Sequence, residues 1–284
     1  MAPGRGPAPA RTVPDTGGVA EFDPEILAFY AQGLEADRLA RTTTPSGPLE
    51  LVRTQELLVR FLPPGRLRIL DIGGGPGVYA EWLAGLGHDV TLIDPVPLHV
   101  AQARARGVTA EVGEARSVAY ADGSVDAVLL LGPLYHLVER ADRLQALAEA
   151  RRVVRPGGLV FAAAISRFAA LLDLLVRLDR LHEAGIYETV SHSVATGRFG
   201  GGEGGLFTTS YLHRPGELRA EGEEAGLDEL RLFSIEGPGF MVTDFEPRWA
   251  DPARREVLLG AARLVEEDPD MVAAAGHLLL VGRA

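Results

Sequence analysis

The run Asp71-Ile72-Gly73-Gly74-Gly75-Pro76-Gly77 places an acid and four glycines within one turn. Glycines at such a turn let the backbone bend sharply and bring main-chain N–H groups close to a ligand. About twenty residues further on, Asp94 ends the apolar run 90–93. A carboxylate at that point can accept hydrogen bonds from the two hydroxyls of a ribose, or it can cap the helix that follows Pro95. The dinucleotide-binding pattern Gly-x-Gly-x-x-Gly is met incompletely. Started at Gly73 it ends on Val78, and started at Gly75 it ends on Ala80, a loose match to the Gly/Ala variant. The turn therefore predicts an adenosine-bearing ligand without choosing its class.

Groups able to move a proton or stack on a ligand lie elsewhere in the chain. Tyr135 and His136 follow the apolar run 125–131, and Tyr211 and His213 follow a glycine-rich tract. Phe29, Tyr30 and Glu35 lie on what reads as the first helix. Each has a second reading. His136 can serve as a general base with an ordinary pKa, or bond a backbone carbonyl and shape a pocket. Tyr135 can orient a substrate or simply pack. Glu35 and Arg38, three residues apart, can pair on a solvated face. Tyr211 and His213 can complete a pocket or cap the helix after Pro215. His182, His277 and Asp126 read as structural, His182 because a positive charge suits a helix C-terminus.

These residues need elements to hold them. Residues 1–20 are rich in Pro, Gly and Ala and predict a flexible tail. A helix is expected after Asp23-Pro24, with Ile26, Leu27, Phe29, Tyr30 and Leu34 on one face, and a second after Pro48. Residues 21–65 form an expected helical cap. Short apolar runs then alternate with helical patterns, which predicts a parallel α/β sheet. Strands are expected at 67–71, 89–94, 108–112, 125–131 and 159–165, with helices at 79–86, 98–106 and 141–153. The rhythm breaks at 166–214. There an apolar helix is expected at 168–182, as a pocket roof or a dimer contact, and the tract 197–205 holds six glycines in nine residues. That tract reads as a mobile lid or a surface loop, so 166–214 becomes a lid or substrate insertion. The sheet resumes with a helix at 215–225, a strand at 227–235, a helix at 252–265 and a last strand at 277–282.

The run Ile69-Leu70-Asp71-Ile72-Gly73-Gly74-Gly75-Pro76-Gly77 resembles the first motif of class I S-adenosylmethionine (SAM)-dependent methyltransferases. Further matches follow in order. They are Val90-Thr91-Leu92-Ile93-Asp94, then Gly113-Glu114-Ala115-Arg116 with the segment 122–128, and then Arg155-Pro156-Gly157-Gly158 before strand five. The resemblance extends to a bacterial small-molecule subgroup through Gly132-Pro133-Leu134-Tyr135-His136-Leu137, the segment 29–39, Tyr211 to Leu218 and the terminal His277-Leu278-Leu279-Leu280-Val281-Gly282. It implies a Rossmann-like class I methyltransferase sheet of parallel strands with an antiparallel last strand, flanked by helices, with residues 66–165 as the SAM-binding core and 215–284 completing it. It also implies that Asp71, Gly73, Gly74, Gly75, Gly77, Asp94, Glu114, Ala115, Leu131 and Gly132 hold SAM, with S-adenosylhomocysteine as product. Glu114 stands where the family carries Asp against the adenine amino group. An acid at position 71 suits a cationic sulfonium cofactor better than a pyrophosphate.

On that footing the implied reaction is in-line methyl transfer to O, N or C of a small molecule. His136, Tyr135, Tyr211 and His213 are the catalytic candidates, and Phe29, Tyr30, Glu35, Tyr135, His136 and Tyr211 the substrate contacts. A catalytically silent SAM-binding partner and a nucleotide-dependent oxidoreductase are the competing readings. Composition narrows the partners. A net charge of −11 disfavours nucleic acid, and the absence of cysteine removes disulfides, thiolate metal sites and cysteine nucleophiles. No metal is expected. Apolar runs too short for a membrane span, with no signal-like start, give a cytoplasmic expectation, as a monomer or homodimer.

Overall fold

The computed structural model describes residues 23–40, 47–200 and 206–284. The expected tail and part of the glycine tract lie outside the described residues. Asp23 accepts from the Glu25 amide and Pro24 occupies the first turn of α1 (Pro24–Tyr30). Gly33, at φ 74°, breaks the chain from helix into a separate 3-10 segment, Leu34–Ala40. Glu35 and Arg38 are thus not on the first helix, a correction that follows from the left-handed backbone only glycine adopts readily. The second expected helix is α2 (Pro48–Phe61), which buries Leu49, Leu57 and Leu58.

The core alternates β1 (Arg68–Ile72), α3 (Val78–Gly85), β2 (Asp89–Asp94), α4 (Pro97–Ala105), β3 (Thr109–Val112), β4 (Val125–Leu130), α5 (Arg140–Val153) and β5 (Val154–Ile165). It is completed by α8 (Pro215–Glu224), β8 (Asp228–Ser234), α9 (Phe245–Ala250), α10 (Pro252–Leu264) and β9 (His277–Arg283). The sheet runs β3-β2-β1-β4-β5-β9-β8. Strands β1 to β5 pair in parallel, and β9 enters antiparallel between β5 and β8. Alternate side chains leave on opposite faces. Ile69 packs with Leu83, Leu92 and Phe161, while Leu70 and Ile72 pack with Leu130, Leu147 and Leu280. Burial on both faces explains why these strands read as unbroken apolar runs.

The stretch between β5 and α8 departs most from expectation. Instead of one helix over 168–182, α6 (Ala169–Leu172) gives way to a π turn, Asp173–Arg177. Asp179 then takes φ 48°, which stops the helix. His182 consequently lies beyond any helix end, exposed and 4.0 Å from Asp179. The leucines suggested a core helix, yet only Leu174 of the π turn is buried, while Leu175 and Leu178 stay exposed. A further helix, α7 (Ile186–Thr196), was not legible, and neither was the small antiparallel pair β6 (Arg198–Phe199) and β7 (Ser210–Tyr211). Among the described residues no helix is long and apolar enough to cross a membrane.

Candidate functional site

Two adjoining cavities open beyond the carboxyl ends of the strands, where parallel α/β sheets place ligands. The first surrounds the glycine turn. Gly73 sits at φ 70°, and a Cβ there would meet Pro133 Cγ at 2.6 Å. On the neighbouring strand end, a Cβ on Gly132 would fall 2.8 Å from the Gly73 carbonyl oxygen. Glycine at both positions lets the turn after β1 and the end of β4 close to backbone contact.

Asp71, one residue before the end of β1, is fully buried, with neither carboxylate oxygen partnered among the described residues. Burial, and then the charge of Asp94, pushes its carboxyl up to about 7. A buried acid without a donor is costly on its own and suits a cationic ligand group. Asp94 is instead well engaged. It accepts from the amides of Gly75 and Val96, both at 2.9 Å, and from His99 Nδ1 at 3.1 Å. With about four lone-pair sites on a carboxylate, roughly one remains for a ligand hydroxyl. Glu114 receives Arg116 on one oxygen at 2.8 Å, and its other oxygen is buried without a partner among the described residues.

Of the residues expected at the cofactor, Asp71, Gly73, Gly74, Gly75, Asp94, Glu114, Ala115, Leu131 and Gly132 line this cavity. Gly77 does not. It caps α3 at φ 87°, and a Cβ there would press on Ala103, so its place is the turn's packing. His99, on the first turn of α4, was missed. Its position five residues after Asp94 was the available signal, since the start of a helix can fold back onto the acid preceding it.

Tyr30, Glu35, Arg38 and Tyr135 line both cavities and form their common wall. Glu35 and Arg38 pair at 2.7 Å as expected, but facing the cavities instead of bulk water. Tyr30 Oη lies 2.7 Å from His136 Nε2. Burial pushes His136 down to about 3, and the Thr209 backbone only partly offsets it. The expected ordinary pKa for His136 is therefore corrected: a ring buried to this degree stays neutral. Burial likewise raises the phenols of Tyr30 and Tyr135. The second cavity is walled mainly by apolar and aromatic side chains, among them Leu174, Phe199, Phe207 and Phe240. Phe29 lines neither cavity and instead packs edge-on against Tyr30 and Phe207.

Tyr211 and His213 are not brought to either cavity. The Tyr211 ring lies under the Arg143 guanidinium at 3.7 Å, and its hydroxyl receives Arg167 at 3.2 Å. His213 is fully buried, 3.2 Å from Glu221, which also takes Arg143 at 2.7 Å. Burial alone would raise Glu221, but His213 and Arg143 hold it down at about 2. The expectation that this pair completes the pocket is corrected, because buried arginines needed these partners.

Residues 70–162 match the family described as a methyltransferase domain. The match runs from within β1 through most of β5, the part that carries the glycine turn. An uncharacterized methyltransferase of Mycobacterium tuberculosis is 39% identical over 100 residues, 34% of this chain and 40% of that protein. A ubiquinone biosynthesis O-methyltransferase of Methylocella silvestris is 36% identical over 173 residues, 53% of this chain and 66% of the relative. The chain thus spans less than two thirds of the length of these relatives. A crystal structure of a SAM-dependent methyltransferase, possible histamine N-methyltransferase, from Thermotoga maritima aligns with TM-score 0.57 at 18% identity, over 91% of this chain and 98% of that one. The fold is the Rossmann-like α/β fold of class I methyltransferases, including its antiparallel last strand.

Proposed function

We propose that this protein is a SAM-dependent methyltransferase acting on a small molecule, with the glycine-turn cavity holding the cofactor and the aromatic cavity the acceptor. The observation that carries the reading is Asp71, a buried carboxylate without a partner among the described residues, beside a glycine turn in a methyltransferase fold. It suits the cationic methionine end of SAM, and the free oxygen of Glu114 suits an adenine amino group. A pyrophosphate beside Asp71 would be repelled, which disfavours the oxidoreductase reading. The bacterial small-molecule subgroup is part of this reading on the sequence resemblance of Gly132-Pro133-Leu134-Tyr135-His136-Leu137.

SAM supplies an electrophilic methyl carbon on a sulfonium, so the chain need provide no metal or covalent nucleophile. Its residues align and dehydrate the acceptor. Tyr30, Tyr135 and His136 stand on the wall that the two cavities share or border, within reach of an acceptor atom presented to the cofactor side. With His136 neutral and its Nε2 bonded to the Tyr30 hydroxyl, the pair is held in one orientation and shapes the wall that faces the acceptor. His136 is not poised to carry a proton away at neutral pH. The acceptor atom accordingly arrives as a nucleophile of its own, or loses its proton to water.

The test is direct. Calorimetry should show SAM and S-adenosylhomocysteine binding and NADH failing to bind, and a screen of small phenols, amines and acids should release S-adenosylhomocysteine. Binding of NADH in place of SAM would overturn the cofactor. Tight SAM binding with no turnover across the screen would favour the silent binding partner.

A further inference from the structure

Behind the aromatic cavity lies a cluster of charges that cofactor binding does not use. Glu50 on α2, Glu236 and His277 at the start of β9 bring ligand atoms within 4.8 Å of one another. Arg38 donates to both oxygens of Glu50, at 2.6 and 2.9 Å. His277 Nδ1 lies 2.6 Å from one oxygen of Glu236 and 3.6 Å from Glu50, while the His277 amide donates to the other Glu236 oxygen at 2.9 Å. A carboxylate only accepts, so Nδ1 carries a proton. Burial works against a charge on this ring, but Glu50 and then Glu236 overcome it and hold the imidazole at about 9. Glu35, Glu50 and Glu236 thus share one guanidinium and one imidazolium, and the cluster is an ion-pair network.

The contacts of His277 with Glu236 and Glu50 run through its amide and Nδ1 and not through Nε2, and the side chain keeps 16% of its surface open and lines the aromatic cavity. Ser210, fully buried on β7, lines the same cavity, and its Oγ lacks a partner among the described residues. The acids of this wall are already engaged, Glu35 by Arg38 at 2.7 Å and Asp173 by Arg177 at 2.5 Å. An imidazolium has no lone pair to offer an amine.

Resting on the methyltransferase reading, we infer that His277 and Ser210 anchor the acceptor, and that the acceptor is an aromatic molecule bearing a carboxylate or carbonyl oxygen. The ring packs among Leu174, Phe207 and Phe240, and the oxygen receives the Nε2–H. Specificity then follows from the donor, because an aromatic ammonium of the same size offers no lone pair to the Nε2–H.

The experiment uses the full chain with labelled histidine, with and without saturating S-adenosylhomocysteine. The His277 resonance is assigned by its loss in His277→Asn, whose amide can keep the Glu236 contact but cannot reach the cavity. 4-Hydroxybenzoate should shift the His277 signal and bind at least about tenfold more tightly than tyramine. His277→Asn should weaken 4-hydroxybenzoate about tenfold, and Ser210→Ala by about fivefold, with S-adenosylhomocysteine affinity within twofold of the parent. The inference falls if 4-hydroxybenzoate fails to bind or binds without moving the His277 signal, or if tyramine binds as well. Failure of S-adenosylhomocysteine to bind would strike the cofactor reading separately, since the probe titration also runs without it.

Discussion

The two cavities are built in opposite ways. The glycine-turn cavity takes most of its lining from the ends of consecutive strands and the turns after them, and its contacts rest largely on backbone and short acids. The aromatic cavity collects side chains from α1, the segment Leu34–Ala40, the π turn, β7, the segment Gly237–Met241 and β9. A backbone-built site tolerates almost no change in residue type, because no atom of it can move aside. A site assembled from side chains on many elements can change its occupant by exchanging one of them. The difference matches a common cofactor on one side and a variable acceptor on the other.

The comparison is broken most severely at the turn itself. Gly73→Ala forces a side chain into a left-handed conformation and against Pro133. Strain and clash together should cost about 1–3 kcal/mol of stability and reduce S-adenosylhomocysteine affinity at least about a hundredfold, read by thermal melts and calorimetry. Affinity within threefold of the parent would show that the turn does not cradle the cofactor.

This rigidity is also why the cofactor side was legible in the sequence. Gly73, Gly132 and Asp94 stand in short contiguous patterns, because strand, turn and helix recur at fixed spacing, and the core strands fell within one or two residues of expectation except β5, which starts at Val154 instead of 159. The pinned state of Asp94 was hidden, since three of its acceptor sites depend on amides and a histidine that fold back onto it, and so were the packing place of Gly77 and the presence of His99 at the cavity. The acceptor side was poorly legible. Gly33 turned Glu35 off the first helix, Leu174 and Leu178 line a cavity while Leu175 stays exposed, and His277 meets Glu50 only across 227 residues of chain. No local pattern encodes such a meeting.

On the wall between the cavities, His136→Ala should lower turnover about ten- to hundredfold with whichever acceptor the screen identifies, while S-adenosylhomocysteine affinity stays within twofold. Because burial holds the ring near 3, the parent enzyme should show no loss of kcat assignable to His136 between pH 5 and 8. An acid limb near pH 6.5 that vanishes in His136→Ala would restore the general-base role.

Asp71 sharpens the comparison through pH. Its folded carboxyl titrates near 7 against 3.8 in an ordinary setting, so the folded state holds its proton more tightly. Stability is therefore fullest below about pH 4 for this group and is lost as pH rises through 7. A cationic ligand reverses the preference by favouring the ionised form. At pH 6 only about one carboxyl in ten is ionised, so SAM affinity should rise about tenfold from pH 6 to pH 8. In Asp71→Asn that rise should disappear, and the unliganded variant should melt higher than the parent at pH 8. A pH-independent affinity in the parent would mean that Asp71 does not face the cofactor's charge.

The smallest effect is expected where sequence and structure disagree most. Tyr211→Phe keeps the ring beneath Arg143 and removes only the hydroxyl, which receives Arg167 at 3.2 Å and donates to Glu217 at 3.3 Å. Arg167 keeps Glu217 at 2.6 Å, so no buried charge is stranded. The variant should lose about 1 kcal/mol of stability, with kcat and KM both within twofold of the parent. Tyr211 is tied to the arginine network under α8 and reaches neither cavity. A fall in kcat of tenfold or more, with stability unchanged, would mean that the segment carrying Tyr211 swings into the site during turnover, and the acceptor side would then be unfinished until it closes.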